Sequence, residues 1–427
     1  MPFAVKGSND VRVYGKGRRG VALSALAMSA VLGLTACSGD SKADDSGDRK
    51  DQAAEKAADR EKDVPDARIS IAPKDGAENV GINSDTKVTV KSGKLTEVTL
   101  TAVGGSAETA GTIADDGRSW TPDVALERGT EYRITAKAKD ADGQVSTSNT
   151  HFTTVSAENS VIGYFTPEDG STVGVGMPVS LNFDKPVEDK AAVESKIDVE
   201  TSSGQDVVGH WFNDTRLDFR PEDYWQAGST VTMDMNLDGV EASPGVYGVQ
   251  DREMSFTVGR SQVSTVDVKA KTMIVERDGK MIKTVPISAG APDTPTYNGK
   301  MVISEKHKET RMDGSTVDFV DENGESEYDI PDVPHAMRLS TSGTFIHGNY
   351  WGGQGVFGSA NTSHGCVGLF DKQGADDPGT DGAWFYDQSL LGDVVIVKNS
   401  PDETIAPDNG LNGWNMDWAA WQAGSAL

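Results

Sequence analysis

The chain has 427 residues, 47 of them glycine, only two cysteines, and a formal net charge of −26 at pH 7. A chain this acidic, with no basic stripe to offset it, repels a phosphate backbone, so nucleic-acid binding is excluded as its function. Its length suits two or three domains. Abundant glycine, frequent valine and threonine, and few helical periodicities point to an all-β fold.

The N-terminus reads as a targeting segment. Lys6, Arg12, Lys16, Arg18 and Arg19 precede an apolar, small-residue run at 21–34 that is short for a membrane span. The run ends in Leu34-Thr35-Ala36-Cys37. A secretory signal closing on a small residue and a cysteine resembles the lipobox of bacterial lipoproteins. That resemblance implies a signal peptide over 1–36, lipidation of Cys37 and a lipid anchor on the outer face of the cell membrane. The alternative is an ordinary secretory signal with an incidental cysteine. Cleavage would remove five basic residues and one acidic one, leaving the mature chain more acidic still. Residues 37–66 are almost wholly charged, small or polar and cannot form a core, so they read as a flexible tether.

Two segments of similar layout follow. Ile71-Ala72-Pro73-Lys74-Asp75-Gly76 recurs as Phe165-Thr166-Pro167-Glu168-Asp169-Gly170, and Leu126-Glu127-Arg128-Gly129-Thr130 as Trp225-Gln226-Ala227-Gly228-Ser229. Phe152-Thr153-Thr154-Val155 and Phe256-Thr257-Val258 close the two segments. Such a consistent offset is the mark of a repeat. Within each segment apolar residues recur every second position between Asp-Gly turns, as in Tyr132-Arg133-Ile134-Thr135-Ala136. The expectation is two immunoglobulin-like β-sandwiches, at 67–157 and 158–260.

A third region, 261–400, carries Val266-Asp267-Val268 as a strand and a hairpin at 272–288 turning on Asp278-Gly279. Residues 289–335 are polar and poorly periodic, and are expected to form a long loop or flap. Thr344-Phe345-Ile346-His347 reads as a strand ending on a histidine, and Val394-Val395-Ile396-Val397 as a buried strand. The persuasive helical stretch lies around 383–387. The tail at 401–427 carries Leu411, Trp414, Met416, Trp418 and Trp421, too many apolar anchors to be left exposed, so it is expected to fold back on the domains.

With Cys37 assigned to export, Cys366 is left as a single unpaired extracytoplasmic thiol within Ser363-His364-Gly365-Cys366. A thiol becomes a nucleophile when an imidazole takes its proton. His347, arriving on a separate strand, suits the base, and His364 a supporting electrostatic or substrate-binding role. The Gly348 carbonyl is an available acceptor for the second nitrogen of His347. Gly365 permits close backbone approach, and the amides of Gly365, Cys366 and Val367 are natural donors to an oxyanion. The bland readings are a buried structural cysteine and structural histidines. A zinc site from His347, His364 and Cys366 is chemically allowed, although the spacing matches no standard zinc pattern.

His347-Gly348-Asn349-Tyr350-Trp351 followed by Ser363-His364-Gly365-Cys366-Val367 resembles the catalytic motif of the L,D-transpeptidases. Two immunoglobulin-like domains, a lipoprotein signal and a Trp-rich tail resemble the large actinobacterial, mycobacterial-type members. The resemblance implies a catalytic β-sandwich with a short helix, a C-terminal extension packed on it, and no cofactor or metal. It implies that Cys366 attacks a peptidoglycan tetrapeptide stem at the diaminopimelate carbonyl and releases D-alanine. A diaminopimelate amine of a second stem then takes the acyl group, giving a 3→3 cross-link, and carbapenems acylate the same cysteine. Ser363 matches the Ser/Thr of the motif. The 289–335 segment would be the active-site lid, with Met312 and Tyr328 as its methionine and tyrosine, and Asn349 and Trp351 would shape the pocket. Gly368 stands where the family often has Asn or Arg. The competing functions are an L,D-carboxypeptidase, in which water accepts the acyl group, and a non-catalytic wall-binding scaffold.

Overall fold

The computed structural model describes residues 65–427 apart from 84, 318 and 321. The signal peptide, Cys37 and all but the last two residues of the tether lie outside the described residues. No helix among the described residues is long and apolar enough to cross a membrane.

Period-two sequence gives period-two burial. Glu131–Lys139, for example, alternates exposed and buried side chains along nine residues. That strand belongs to a sheet ordered Ala77–Val80, Val145–Thr154, Glu131–Lys139, Lys94–Ala102. A second sheet runs Arg68–Ala72, Lys87–Lys91, Ser119–Pro122, Gly111–Ile113. The two share one core, with Val88 and Trp120 from one sheet meeting Leu100, Ile134 and Phe152 from the other. Residues 163–258 repeat the plan with two further four-stranded sheets around Leu181, Leu217, Met233 and Phe256.

The sequence repeat has a structural counterpart. In both halves the Asp-Gly turn places its glycine at positive φ, 75° at Gly76 and 71° at Gly170. In both, the strand after that turn pairs in parallel with the strand that closes the segment: Ala77–Val80 with Val145–Thr154, and Thr172–Val173 with Asp251–Val258.

Glu241–Ser243, Val246–Gly248 and Ser160–Val161 make a small three-stranded sheet, and the strands of the third region, numbered here from its start, form one larger sheet. They are β1 (Gln262–Asp267), β2 (Thr272–Arg277), β3 (Lys280–Ser288), β4 (Gly299–Val302), β5 (Glu305–Asp313), β6 (Asp329–Arg338), β7 (Phe345–Asn349), β8 (Val367–Phe370) and β9 (Val394–Lys398). Their order is β4-β9-β1-β2-β3-β8-β7-β6-β5. Residues from eight of these strands meet in one core around Met273, Ile287, Met301, Ile346, Val367 and Val395. The sheet therefore curls around its own core, where the sequence suggested a sandwich of two. One helix, α1 (Asp381–Gln388), starts at Thr380, whose side chain accepts the Ala383 amide, and buries Phe385 in that core.

The expected long loop over 289–335 instead contains β4, β5 and the first part of β6. β5 and β6 pair antiparallel as a hairpin at the end of the sheet, and the chain between them holds a short 3-10 turn at Gly314–Val317. The pattern was hidden because β5 is an edge strand with no deeply buried face, and because β6 carries Pro331 and Pro334.

The tail packs on two units at once. Asn412 and Asn415 exchange hydrogen bonds with Val302, Leu339 and Lys300 of the curled sheet. Trp414 and Trp421 donate their indole N–H to Gly176 and Val208 of the second sandwich. The Arg220 guanidinium lies 4.3–5.4 Å from the rings of Trp421, Trp414 and Trp418, an arrangement that favours the cation. Burial nevertheless lowers the Arg220 pKa to about 10.

Candidate active site

Two parallel neighbours, β7 and β8, build the site. Ile346 lies opposite Val367 and His347 opposite Gly368. Because side chains alternate along a strand, Ile346, Val367 and Leu369 turn into the core. His347, Asn349 and Cys366 turn to the other face, where all three line one cavity. The cavity measures about 210 Å³ and is completed by Met312, Tyr328, Ile330, Trp351, Gly352, Thr362, Ser363 and His364.

Cys366 is 9% exposed and sits against Val333, Ala336 and Phe345. Its sulfur accepts the Phe345 amide at 3.4 Å and donates to the Gly343 carbonyl at 3.5 Å. Burial pushes its thiol up to about 11, only partly opposed by the Phe345 amide and the charge of Arg338. His347 is 5% exposed, and its Nδ1 lies 2.8 Å from the Gly348 carbonyl oxygen. A carbonyl can only accept, so Nδ1 carries the proton and Nε2 is the basic nitrogen. Burial lowers the His347 pKa, against the pull of the Gly348 carbonyl and the Asp371 charge. At neutral pH both groups therefore rest uncharged, and proton transfer accompanies attack.

A pH profile follows. The rate of Cys366 acylation should stay level from about pH 7 to 9 and fall only below the ordinary imidazole range, as His347 gains its proton. Initial rates of adduct formation by intact mass check this. A rise with a midpoint near 8.5, the ordinary thiol value, would show instead that the thiol ionises on its own.

Behind His347 lies a polar cluster that the sequence reading did not find. Asp371 is 2% exposed. It accepts His335 Nδ1–H at 2.7 Å, the Thr380 hydroxyl at 2.8 Å and the Lys372 amide at 2.8 Å. A Cβ on Gly348 would come within 2.1 Å of the Asp371 carboxylate, so this position has room only for glycine. Asp371 thus presses directly beneath the residue whose carbonyl orients His347.

The other predicted residues are spread around the cavity. Trp351 is 44% exposed and stacks on His347 at 5.7 Å. Met312 and Tyr328 come from the β5–β6 hairpin and face the same space. His364 sits on the rim, its Nε2 3.4 Å from a Glu327 carboxylate oxygen and its ring 5.1 Å from Tyr328. Burial raises the Tyr328 hydroxyl to about 12, helped by nearby Cys366, Asp313 and Glu327. The Ser363 hydroxyl donates to the Cys366 carbonyl, tying the loop ahead of the thiol. Gly365 adopts φ 109°, a conformation side chains disfavour. The Val367 side chain is fully buried in the core on the face away from the cavity, so only its backbone is left for substrate. Among the described residues, no group of three or more His, Cys, Asp or Glu is placed to hold a metal ion.

Comparison with known proteins assigns this architecture. A bacterial Ig domain model matches residues 77–241, and the model of the L,D-transpeptidase catalytic domain matches residues 261–397. L,D-transpeptidase 2 of Mycobacterium tuberculosis is 33% identical over 363 residues, covering 85% of each chain. The chain belongs to the L,D-transpeptidase family. L,D-transpeptidase 5 of the same species is 31% identical over 370 residues, covering 85% of this chain and 78% of that protein. A solved structure of the LD transpeptidase LdtMt1 in complex with imipenem is 27% identical, with a TM-score of 0.46, and covers 56% of this chain and 99% of its own. As a member of the family this L,D-transpeptidase is a cysteine-dependent acyltransferase of cell-wall biogenesis, and residues 261–397 contain a single cysteine, Cys366.

Proposed function

We propose that this L,D-transpeptidase makes 3→3 cross-links between peptidoglycan stem peptides, with Cys366 as nucleophile and His347 as base. The observation that carries this reading is that His347 on β7 and Cys366, the residue just ahead of the adjacent parallel strand β8, line one cavity, with the His347 Nδ1 proton committed to the Gly348 carbonyl. Nε2 takes the thiol proton as the sulfur attacks the diaminopimelate carbonyl of a tetrapeptide stem. The C–S bond forms, the C–N bond to D-alanine breaks, and the proton leaves on the D-alanine amine. The diaminopimelate amine of a second stem then attacks the thioester. Its proton returns through His347 to the departing thiolate. Ser363 and Gly365 hold the loop whose amides, with that of Val367, receive the oxyanion, while His364, Met312, Tyr328 and Trp351 border the stem. No step calls for a cofactor.

The same reading takes residues 67–157 and 158–260 as two immunoglobulin-like domains, 261–400 as the catalytic domain and 401–427 as its packing extension. It places the enzyme outside the cytoplasm, in the cell wall, held to the outer face of the cell membrane by a lipid on Cys37. A strained β-lactam carbonyl fits the same thiol, which makes carbapenems its covalent inhibitors.

The test is incubation with disaccharide-tetrapeptide followed by mass spectrometry. The expected product is a dimer one D-alanine short of two tetrapeptides, linked between diaminopimelate residues. Tripeptide alone would establish a carboxypeptidase, and an unchanged substrate with intact fold would establish a scaffold.

A further inference from the structure

Asn349 shares the cavity-facing side of β7 with His347 and is 7% exposed. Its Oδ1 accepts the Gly352 amide at 2.7 Å. An amide N–H can only donate, so this bond settles which end of the carboxamide is oxygen. The NH2 end is left with no hydrogen bond to any described residue, although it belongs to a side chain lining the cavity.

The neighbouring strand leaves room for it. Gly368 has no side chain, and a Cβ built there would sit 3.5 Å from Asn349 Nδ2 and 3.6 Å from Asn349 Cβ. The Asn349 amide therefore lies over the place where a side chain at 368 would project. Cys366, one residue ahead of β8, and Gly368 within it lie two residues apart, about 7 Å at the rise of a strand. An amide above Gly368 is too far along to reach the oxyanion of the carbonyl that Cys366 attacks. It is within reach of the next oxygen of an extended peptide lying across the two strands.

The geometry points to Asn349 as a substrate-binding residue, whose NH2 donates to a carboxylate or carbonyl oxygen of the acyl donor flanking the attacked carbonyl. This rests on Cys366 being the nucleophile in this cavity. Two sources share the chemistry, the carboxylate of the leaving D-alanine and a backbone carbonyl of the stem. The Gly352 hydrogen bond pre-orients the amide, so little side-chain freedom is lost on binding.

The test measures D-alanine release from disaccharide-tetrapeptide by the full chain, alongside alkylation of Cys366 by iodoacetamide and thermal melting. Asn349→Ala should lower kcat/KM by about 10- to 100-fold, the range for a lost hydrogen bond to a charged or buried polar group. Asn349→Asp should lower it at least as far, since a carboxylate cannot donate and repels an anion. Adding Gly368→Asn to Asn349→Ala should recover part of the loss, because the new amide starts from the vacated space. Alkylation rate and melting temperature should stay near the parent's. A donor whose C-terminal carboxylate is replaced by an amide assigns the source: if Asn349→Ala slows both donors alike the acceptor is a stem carbonyl, and if it slows only the acid it is the D-alanine carboxylate. Unchanged kcat/KM in Asn349→Ala, a loss matched by slower alkylation or lower melting, or no recovery in the double variant would overturn the assignment while leaving Cys366 as nucleophile. A folded parent that releases no D-alanine would instead remove the transpeptidase reading and this assignment with it.

Discussion

Cys366→Ala protein is expected to melt near the parent temperature, to release no D-alanine and to gain no mass from a carbapenem. The sulfur lies in a small apolar cluster with Val333, Ala336 and Phe345 and makes two long hydrogen bonds. Its removal therefore costs about 1 kcal/mol of packing at most. Chemistry suffers far more. No other thiol exists in residues 261–397, and losing a nucleophile that works as a unit with its base removes about 10⁴-fold or more of the rate. Calorimetry reads the first effect and intact mass after exposure to a carbapenem the second. An alanine variant that still forms the adduct would end the assignment of Cys366.

The second large effect is expected at Asp371. Asp371→Ala strands three donors, the buried His335 Nδ1–H and Thr380 hydroxyl and the part-buried Lys372 amide. Each unsatisfied group costs about 1–3 kcal/mol, so the total should be roughly 3 kcal/mol or more. The transition of the curled sheet should then fall by roughly 6–12 °C. Acylation should slow as well, because the carboxylate packs beneath Gly348 and so steadies the carbonyl that holds His347. Coupling makes the claim sharp. Gly348→Ala places a methyl 2.1 Å from the Asp371 carboxylate and 2.6 Å from its Cβ in the parent; alanine at 371 removes the carboxylate clash and leaves only the one with Cβ. The double variant should be more stable than the sum of the two single losses predicts. Simple additivity would show that the two positions do not touch in solution.

What could be read without coordinates was whatever local chemistry dictates. The Asp278-Gly279 turn needs two positive φ angles and has them, 48° and 73°. The repeats at 71–76 and 165–170 land on corresponding turns. The alternation in 345–349 and 366–369 sorts the nucleophile's face from the core face. What stayed hidden depends on partners far away in the chain. Asp371 is an ordinary acidic residue in a loop until β6 brings His335 to it. The β5–β6 hairpin lacks the buried stripe that advertises a strand, since it ends the sheet and β5 has no deeply buried face. Asn349 read as a pocket residue, yet the orientation of its amide depends on a turn that brings the Gly352 N–H back to it.

The double attachment of the tail bears on reach. Trp414 and Trp421 are seated in the second sandwich while Asn412 and Asn415 are tied to the curled sheet, and Gly174 and Gly176 bond the backbone at Leu391 and Gly392. A catalytic cleft bolted to its neighbour in this way cannot swivel toward a strand of wall on its own. It travels with the sandwich as one piece, so the direction in which the cleft opens is set by the pair and not by the curled sheet alone.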